Sequence, residues 1–418
     1  MAATQQLSHV YPLGSRLTDA GRLEVGGCDA IELAREFGTP AYVVAEDDVR
    51  ARARAYMEAM RARHEDFEVL FASKAFPCTA AYRLLADEGL GCDVASGGEL
   101  HLALRGGFDP ARIYLHGNAK SAQELRDALD VGVGHIVIDS FDEIDRLDAL
   151  VSGRLAVLIR VVPGVEPGTH AKISTGQRDT KFGFCIDDAR GAIERVGAAA
   201  HLDLVGLHMH IGSQILDVEP FRRAIEALAT LGEFPVYNLG GGLGVAYTAD
   251  QQPPSIERYV EAKLSAAHEL LGADKRILVE PGRSLVANAG VTLYSVISVK
   301  RNVSTYVAVD GGMSDNLRPM LYGAVYEAQI ADRFGGGEAC RVVGKHCESG
   351  DVIVSEAALA DPRPGDVLVT PATGAYGHAM ANNYNGVPRP PVIFCQGGQA
   401  RVVVRRETYE DLAARDVG

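Results

Sequence analysis

Phe67-Glu-Val-Leu-Phe-Ala72 is a short, mostly apolar run that stops at Ser73-Lys74, and the fold turns on how it is read. Its length and its Val and Phe content suit a strand buried on both faces, the kind found in parallel sheets. Seven more runs of this kind follow: Cys92 to Ala95, Arg112 to Leu115, His135 to Ile138, Leu155 to Val161, Leu204 to His208, Val236 to Leu239 and Ile277 to Val279. Stretches of helical period lie between them. Two of these open with Ser121-Ala-Gln-Glu124 and Ser140-Phe-Asp-Glu143, the spacing at which Ser and Glu satisfy each other's unpaired backbone donors. Eight strands alternating with helices predict a TIM-like (β/α)8 barrel.

After about Ile297 the rhythm changes. Runs such as Tyr306 to Val309, Val352 to Val354, Val367 to Thr370 and Arg401 to Arg405 are strand-like and broken by Gly and Pro. They predict a mostly antiparallel β-domain, joined by an N-terminal strand near Leu23 to Val25. The expected division is a barrel over residues 47–295 and a β-domain from 1–46 and 296–418. A chain of 418 residues is too long for one ordinary core, which agrees.

With 41 basic against 55 acidic residues the net charge is −14, so nothing draws the chain to nucleic acid or an anionic membrane. No apolar run approaches the roughly 20 residues that span a bilayer, and the start MAATQQLSHVYP lacks the order of a secretory signal. A cytoplasmic, small-molecule enzyme is expected. Cys28, Cys78, Cys92, Cys185, Cys340, Cys347 and Cys395 are scattered and form no C-x-x-C pair, so they suggest neither a disulfide framework nor a zinc knuckle.

In such a barrel the loops after the strands' C-terminal ends form the active face. Here every strand supplies polar residues at that end: Ser73-Lys74, Asp93 with Ser96-Gly-Gly-Glu99, His116-Gly-Asn118, Asp139-Ser140, Arg160, His208-Met-His210-Ile-Gly-Ser213, Gly240-Gly-Gly242-Leu-Gly244 and Glu280-Pro-Gly-Arg283. Lys74 stands among apolar residues, where burial would favour the nucleophilic amine of a Schiff-base lysine, although a lysine snorkelling from a strand end reads the same way. The glycines after strand seven can bring backbone N–H groups up to a phosphate, or can simply make a tight turn of positive φ. Glu280 can face a protonated pyridine nitrogen or pair with Arg283. His208 and His210 are two apart, a spacing that can bind zinc, but no Asp-rich ligand set accompanies them; a ring stacked on a cofactor is the preferred role for His210. No metal is expected.

Taken in order, Phe71-Ala-Ser-Lys74, His208-Met-His-Ile-Gly-Ser-Gln214, Gly240-Gly-Gly-Leu-Gly244, Glu280-Pro-Gly-Arg283, Asp310-Gly-Gly-Met-Ser-Asp-Asn316, Cys347-Glu-Ser-Gly-Asp351 and Gly374-Ala-Tyr-Gly377 resemble the diaminopimelate decarboxylases. These belong to the alanine-racemase-like group of pyridoxal-phosphate enzymes. The resemblance implies removal of CO2 from meso-2,6-diaminopimelate to give L-lysine. It implies that Lys74 carries pyridoxal 5'-phosphate as a Schiff base, with Asp93 also at the cofactor and His210 stacked on its ring. Ser213, Gly240, Gly241, Gly242 and Tyr376 would hold the phosphate, and Glu280 the pyridinium. Arg283, Arg318, Tyr322 and Glu348, with Tyr376, would meet the substrate, the arginines matching its distal carboxylate and Glu348 its ammonium. Cys347 would supply the proton that replaces the lost carboxylate. The resemblance also implies a homodimer in which Cys347 and Glu348 reach into the partner's site. Leu317, where the family often has proline, and Gly377-His378 depart from the usual spelling and leave related substrates such as ornithine, lysine or carrier-bound glutamate in view. Arg318 and the Ile173-Ser-Thr-Gly176 to Lys181-Phe-Gly183 segment favour diaminopimelate.

Overall fold

The structure is a computed structural model that describes residues 7–166, 168, 175–177 and 180–418. Part of the Ile173 to Gly176 motif lies outside them. The chain divides into two compact units. One comprises Arg52–Gly244 and Pro253–Ser284; the other comprises the chain up to Ala51, Val245–Gln252 and Leu285–Gly418.

The first unit holds eight parallel strands: Phe67–Ala72, Gly91–Val94, Ile113–Leu115, His135–Ile138, Leu155–Val162, Leu202–Met209, Val236–Asn238 and Arg276–Val279. Each pairs with the next, and the last returns to the first with Ile277 beside Phe67, so the sheet closes into the expected barrel. A short extra strand, Phe184–Cys185, runs parallel to the fifth. Leu70, Tyr114, Val137, Leu158 and Leu278, from five different strands, form one interior cluster at no more than 1% exposure. Burying each side chain of this size stabilises the fold by roughly 1.5–3 kcal/mol. Closure therefore leaves the strand ends, not the lumen, to do chemistry.

Helices between the strands start where polar caps allow. Ser121 and Glu124 make the reciprocal box at the helix Ala122–Val131. At Phe141–Leu150 only half of the expected box forms. Ser140 accepts the Glu143 N–H, but the Glu143 carboxylate takes the Asp139 N–H at 3.1 Å and the buried ammonium of Lys120 at 2.6 Å. A buried charge partner outweighs a neutral backbone donor.

The second unit contains a nine-stranded sheet. Its strands are Ala41–Ala45, Gly290–Arg301, Thr305–Val309, Gln329–Ile330, Glu338–Val343, Val352–Leu359, Val367–Pro371, Val392–Gln396 and Gln399–Val404. Two pairings are parallel, Thr305–Val309 with Glu338–Val343 and Ala41–Ala45 with Val392–Gln396, and the rest are antiparallel. Val43, Val291, Leu293, Val369 and Ile393 anchor its core at 0% exposure. Leu23–Val25 is a strand, but of a separate three-stranded sheet with Arg16–Leu17 and Cys28–Asp29. Gly26 and Gly27, both at positive φ, turn the chain back immediately after Val25, so that strand ends in a hairpin. The N-terminal strand that enters the large sheet is Ala41–Ala45, buried at every residue. Among the described residues no helix is long and apolar enough to cross a membrane.

Candidate active site

The first barrel strand ends at Ala72, and Ser73–Ala75 form one turn of 3-10 helix. Ser73 and Ala75 are buried but Lys74 is exposed. This corrects the expectation that its apolar neighbours would bury it, because the strand stops at Ala72 and the helical turn that follows takes the lysine out of the apolar wall. The turn is held firmly. Ser73 Oγ donates to Glu99 Oε2 at 2.7 Å, and the same oxygen accepts the Ala95 N–H at 2.7 Å. Glu99 is itself placed by the N-cap Ser96 of the helix Gly97–Gly106, so the Ser96-Gly-Gly-Glu99 motif clamps the turn that carries Lys74. The Lys74 ammonium acts on two buried neighbours. Burial and then Glu280 push the Asp93 carboxyl well above its usual range, against the pull of Lys74. Burial, then Lys74 and Arg160, hold the His210 imidazole well below its usual range.

Glu280 follows the eighth strand and gathers donors from three other strands. Oε1 lies 3.0 Å from His116 Nε2 and accepts from Asn238 Nδ2 at 2.6 Å; Oε2 lies 3.2 Å from His208 Nε2. Burial alone would raise its pKa, but His116 and His208 outweigh burial and hold the carboxyl well below the ordinary value. The His208 imidazole is pushed down to about 4, by burial above all, so its ring is neutral and serves as a donor. Among the described residues no Lys or Arg pairs with Glu280, its ion-pair distances being to the two histidines. His116, His208 and Glu280 are also the set that could ligate a metal, all ligand atoms lying within 4.8 Å. His210 is outside that set. Its Nδ1 accepts the Gly241 N–H at 3.3 Å.

The glycine turn is tight for a reason visible in its surroundings. A Cβ on Gly240, which has φ +61°, would lie 2.2 Å from Met209 O, and one on Gly241 would lie 2.2 Å from Glu280 O. The backbone here passes too close to neighbouring strand ends for any side chain. Asn238 Oδ1 accepts the Gly240 N–H at 3.0 Å, and the Glu280 N–H returns to Gly240 O at 3.1 Å. Ser213 Oγ accepts from Arg283 Nη2 at 2.9 Å and Nε at 3.2 Å. Arg283, expected at the substrate's distal end, is thus bonded to the serine expected at the phosphate. Lys74, Asp93, His210, Ser213, Gly240, Gly241, Gly242, Glu280 and Arg283 all belong to this unit.

The second unit carries the other expected residues. Arg318 is buried, lies 4.4 Å over the Tyr247 ring and 5.4 Å from the Tyr326 ring centre, and donates to the Tyr326 hydroxyl. Burial disfavours its charge, but Tyr247, Tyr326 and Tyr376 outweigh that and raise its pKa. Its Nε is buried and has no acceptor. Tyr322 closes the short helix Arg318–Tyr322, and Tyr376 holds a positive φ of 60°. Cys347 and Glu348 are exposed on a turn. Asp351, the last residue of the Cys347-Glu-Ser-Gly-Asp351 motif, fixes that turn by accepting the Met313 N–H at 2.7 Å and the His346 N–H at 2.9 Å, while Asn385 Oδ1 accepts the Cys347 N–H at 3.0 Å.

His116, Asn238, Glu99 and Lys263 were not singled out by role in the sequence. The first three sit at or just beyond strand ends, the one available signal. Lys263 sits within a helix and gave none.

The family model for the pyridoxal-dependent decarboxylase, pyridoxal binding domain, matches residues 46–287. A diaminopimelate decarboxylase from Actinosynnema pretiosum subsp. auranticum is 48% identical over 98% of this chain and 95% of its own. One from Bacillus subtilis is 46% identical over 96% and 97%. The crystal structure of diaminopimelate decarboxylase from M. jannaschii in complex with L-lysine superposes with a TM-score of 0.91 at 34% identity, covering 97% of this chain and 98% of that one.

Proposed function

The chain belongs to the diaminopimelate decarboxylase family, a branch of the pyridoxal-dependent decarboxylases, and we propose that it removes CO2 from meso-2,6-diaminopimelate to leave L-lysine, with pyridoxal phosphate as its cofactor. The observation that carries this reading is Glu280: a buried carboxylate, held below the ordinary carboxylate range by His116 and His208 against burial, hydrogen-bonded to His208 and Asn238, and paired with no lysine or arginine among the described residues. Arg160 and Lys263 act on it electrostatically without an ion-pair contact; a buried carboxylate with no contacting cation is costly, and a pyridinium N–H would supply one. The rest of the unit fits the same group. Lys74 is accessible for its aldehyde, the Gly240 to Gly242 turn leaves no side chain between backbone and phosphate, and the neutral His210 ring suits its face.

When bound, pyridoxal phosphate supplies the electron sink that makes loss of a Cα carboxylate feasible. The chain's own residues do the remainder. Glu280 keeps its proton-accepting oxygen charged, and so favours the protonated ring nitrogen. Burial, and then Glu280 itself, push the Asp93 carboxyl well above its usual range and so oppose a second negative charge beside it. Ser73 and Glu99 hold the Lys74 turn in place. Arg318, a buried guanidinium with an unsatisfied Nε, is the proposed receiver of the substrate's distal carboxylate, assisted by Tyr322 and Tyr376, with Glu348 for the distal ammonium. Cys347 is the proposed donor of the proton to Cα. The exposure of Cys347 and Glu348 on a fixed turn supports a homodimer in which they serve the partner's substrate.

Release of CO2 from meso-diaminopimelate, L-lysine and L-ornithine tests the substrate. The expected result is lysine and CO2 from diaminopimelate, with kcat/KM for the other two lower by on the order of 10⁴, because a site built for a carboxylate leaves its arginine buried and unpaired without one. Comparable diamine formation from lysine would overturn the assignment.

A further inference from the structure

Lys263 lies in the helix Ile256–Leu270, has 0% exposure, and plays no part in the reading above. Its Nζ is 2.7 Å from Leu239 O, 2.8 Å from Gly240 O and 3.2 Å from Gly241 O. It also lies 4.6 Å from the Phe221 ring centre and 4.5 Å from that of Tyr259. A neutral amine has two N–H donors. Three carbonyl acceptors and two ring faces call for the three donors and the charge of an ammonium. Burial pulls its pKa well below the ordinary value, with Glu280 acting in the opposite direction. The carbonyl dipoles and ring faces stabilise the charged form against that burial.

In a trans peptide the C=O and the following N–H point in opposite directions. With the carbonyls of Leu239, Gly240 and Gly241 turned toward Lys263, the N–H groups of Gly240, Gly241 and Gly242 turn away from it. The first is taken by Asn238 Oδ1 and the second by His210 Nδ1. The Gly242 N–H has no acceptor among the described residues. Lys263, joined at Gly240 O by the Glu280 N–H and the Tyr259 hydroxyl, therefore holds the carbonyl face of the turn and with it the direction of its N–H donors.

We propose that Lys263 is a positioning residue for the cofactor's phosphate: its ammonium fixes three consecutive peptides so that the Gly242 N–H is left directed away from it and unpaired among the described residues, and adds a buried positive charge behind the turn. This rests on the assignment of the Gly240 to Gly242 turn to the phosphate, and it adds a requirement from outside the strand ends. A second consequence concerns Asn238, which spans the turn and Glu280 through its two amide atoms; Lys263 and Asn238 together tie the phosphate turn to the ring-nitrogen carboxylate.

The test is equilibrium binding of pyridoxal phosphate and of pyridoxal, followed by absorbance, to the purified full chain stripped of cofactor. A positioning role predicts that Lys263→Met weakens pyridoxal phosphate by roughly 10- to 100-fold, the range of a charge-assisted hydrogen bond, and changes pyridoxal less than about threefold. Lys263→Gln retains a donor for the carbonyls but no charge, and covers the case in which the methionine variant fails to fold; it is expected to lose phosphate preference by an intermediate factor. Equal loss of both ligands would make Lys263 a scaffold residue and overturn the proposal, as would no change in either. Equal affinity of the unsubstituted chain for the two ligands would instead overturn the phosphate assignment of the turn itself.

Discussion

In the proposed reaction Glu280 and Lys74 divide the chemistry between a charge that stays buried and an amine that stays accessible. Glu280 accepts from His208 and Asn238 and lies 3.0 Å from His116 Nε2, and the low pKa of His208, about 4, means that its partner there is a neutral donor and not a salt bridge. Replacing Glu280 by Gln keeps the shape and removes the charge. The expected outcome is a fall in kcat on the order of 10² to 10³ with pyridoxal phosphate affinity changed only several-fold, measured by steady-state CO2 release and by absorbance titration. A kcat within tenfold of the parent would show that the charge is not needed. Of this pair, Glu280 was legible from its place after the eighth strand, whereas its donors were not, because they come from strands 42 to 164 residues away and no local pattern encodes such pairs. The accessibility of Lys74 was misread for the converse reason: apolar neighbours in sequence say nothing of the helical turn that redirects one side chain.

At the scale of elements, the barrel was legible because short apolar runs, bounded at both ends and separated by stretches of helical period, are what burial on both faces imposes on each strand separately. All eight strands appear where expected, six of them shifted by a residue or two at their ends. The role of Leu23–Val25 was not legible, since which sheet a strand joins depends on the Gly26-Gly27 turn and on the partners it meets. The helix Ile256–Leu270 hid Lys263 for a similar reason: a lysine in a helix normally reads as solvated. The glycine turn makes the sharpest element-level prediction. Gly241→Ala would place a Cβ 2.2 Å from a backbone oxygen of Glu280, which cannot move aside cheaply. A cost of roughly 1–3 kcal/mol in stability is expected, together with at least tenfold weaker pyridoxal phosphate binding. Unchanged binding would mean that the turn does not hold the phosphate.

For the whole molecule, the second unit is built from three separate segments, the chain up to Ala51, Val245–Gln252 and Leu285–Gly418. A strongly acidic composition excluded nucleic acid as a partner, but only the motif order across nearly the whole length pointed to a family. The proposed homodimer with shared sites makes a prediction at this scale. Mixing inactive Lys74→Ala with inactive Cys347→Ala protein, under conditions of subunit exchange, should restore about a quarter of the parent activity, because half of the dimers are mixed and each holds one intact site. No recovery after verified exchange would confine each site to one chain. The most direct measurement remains the identity of the lysine that carries the cofactor. Borohydride reduction of the purified enzyme followed by peptide mapping is expected to place the pyridoxyl group on Lys74, with no adduct in Lys74→Ala; an adduct on any other lysine of the parent enzyme, or none, would contradict the account.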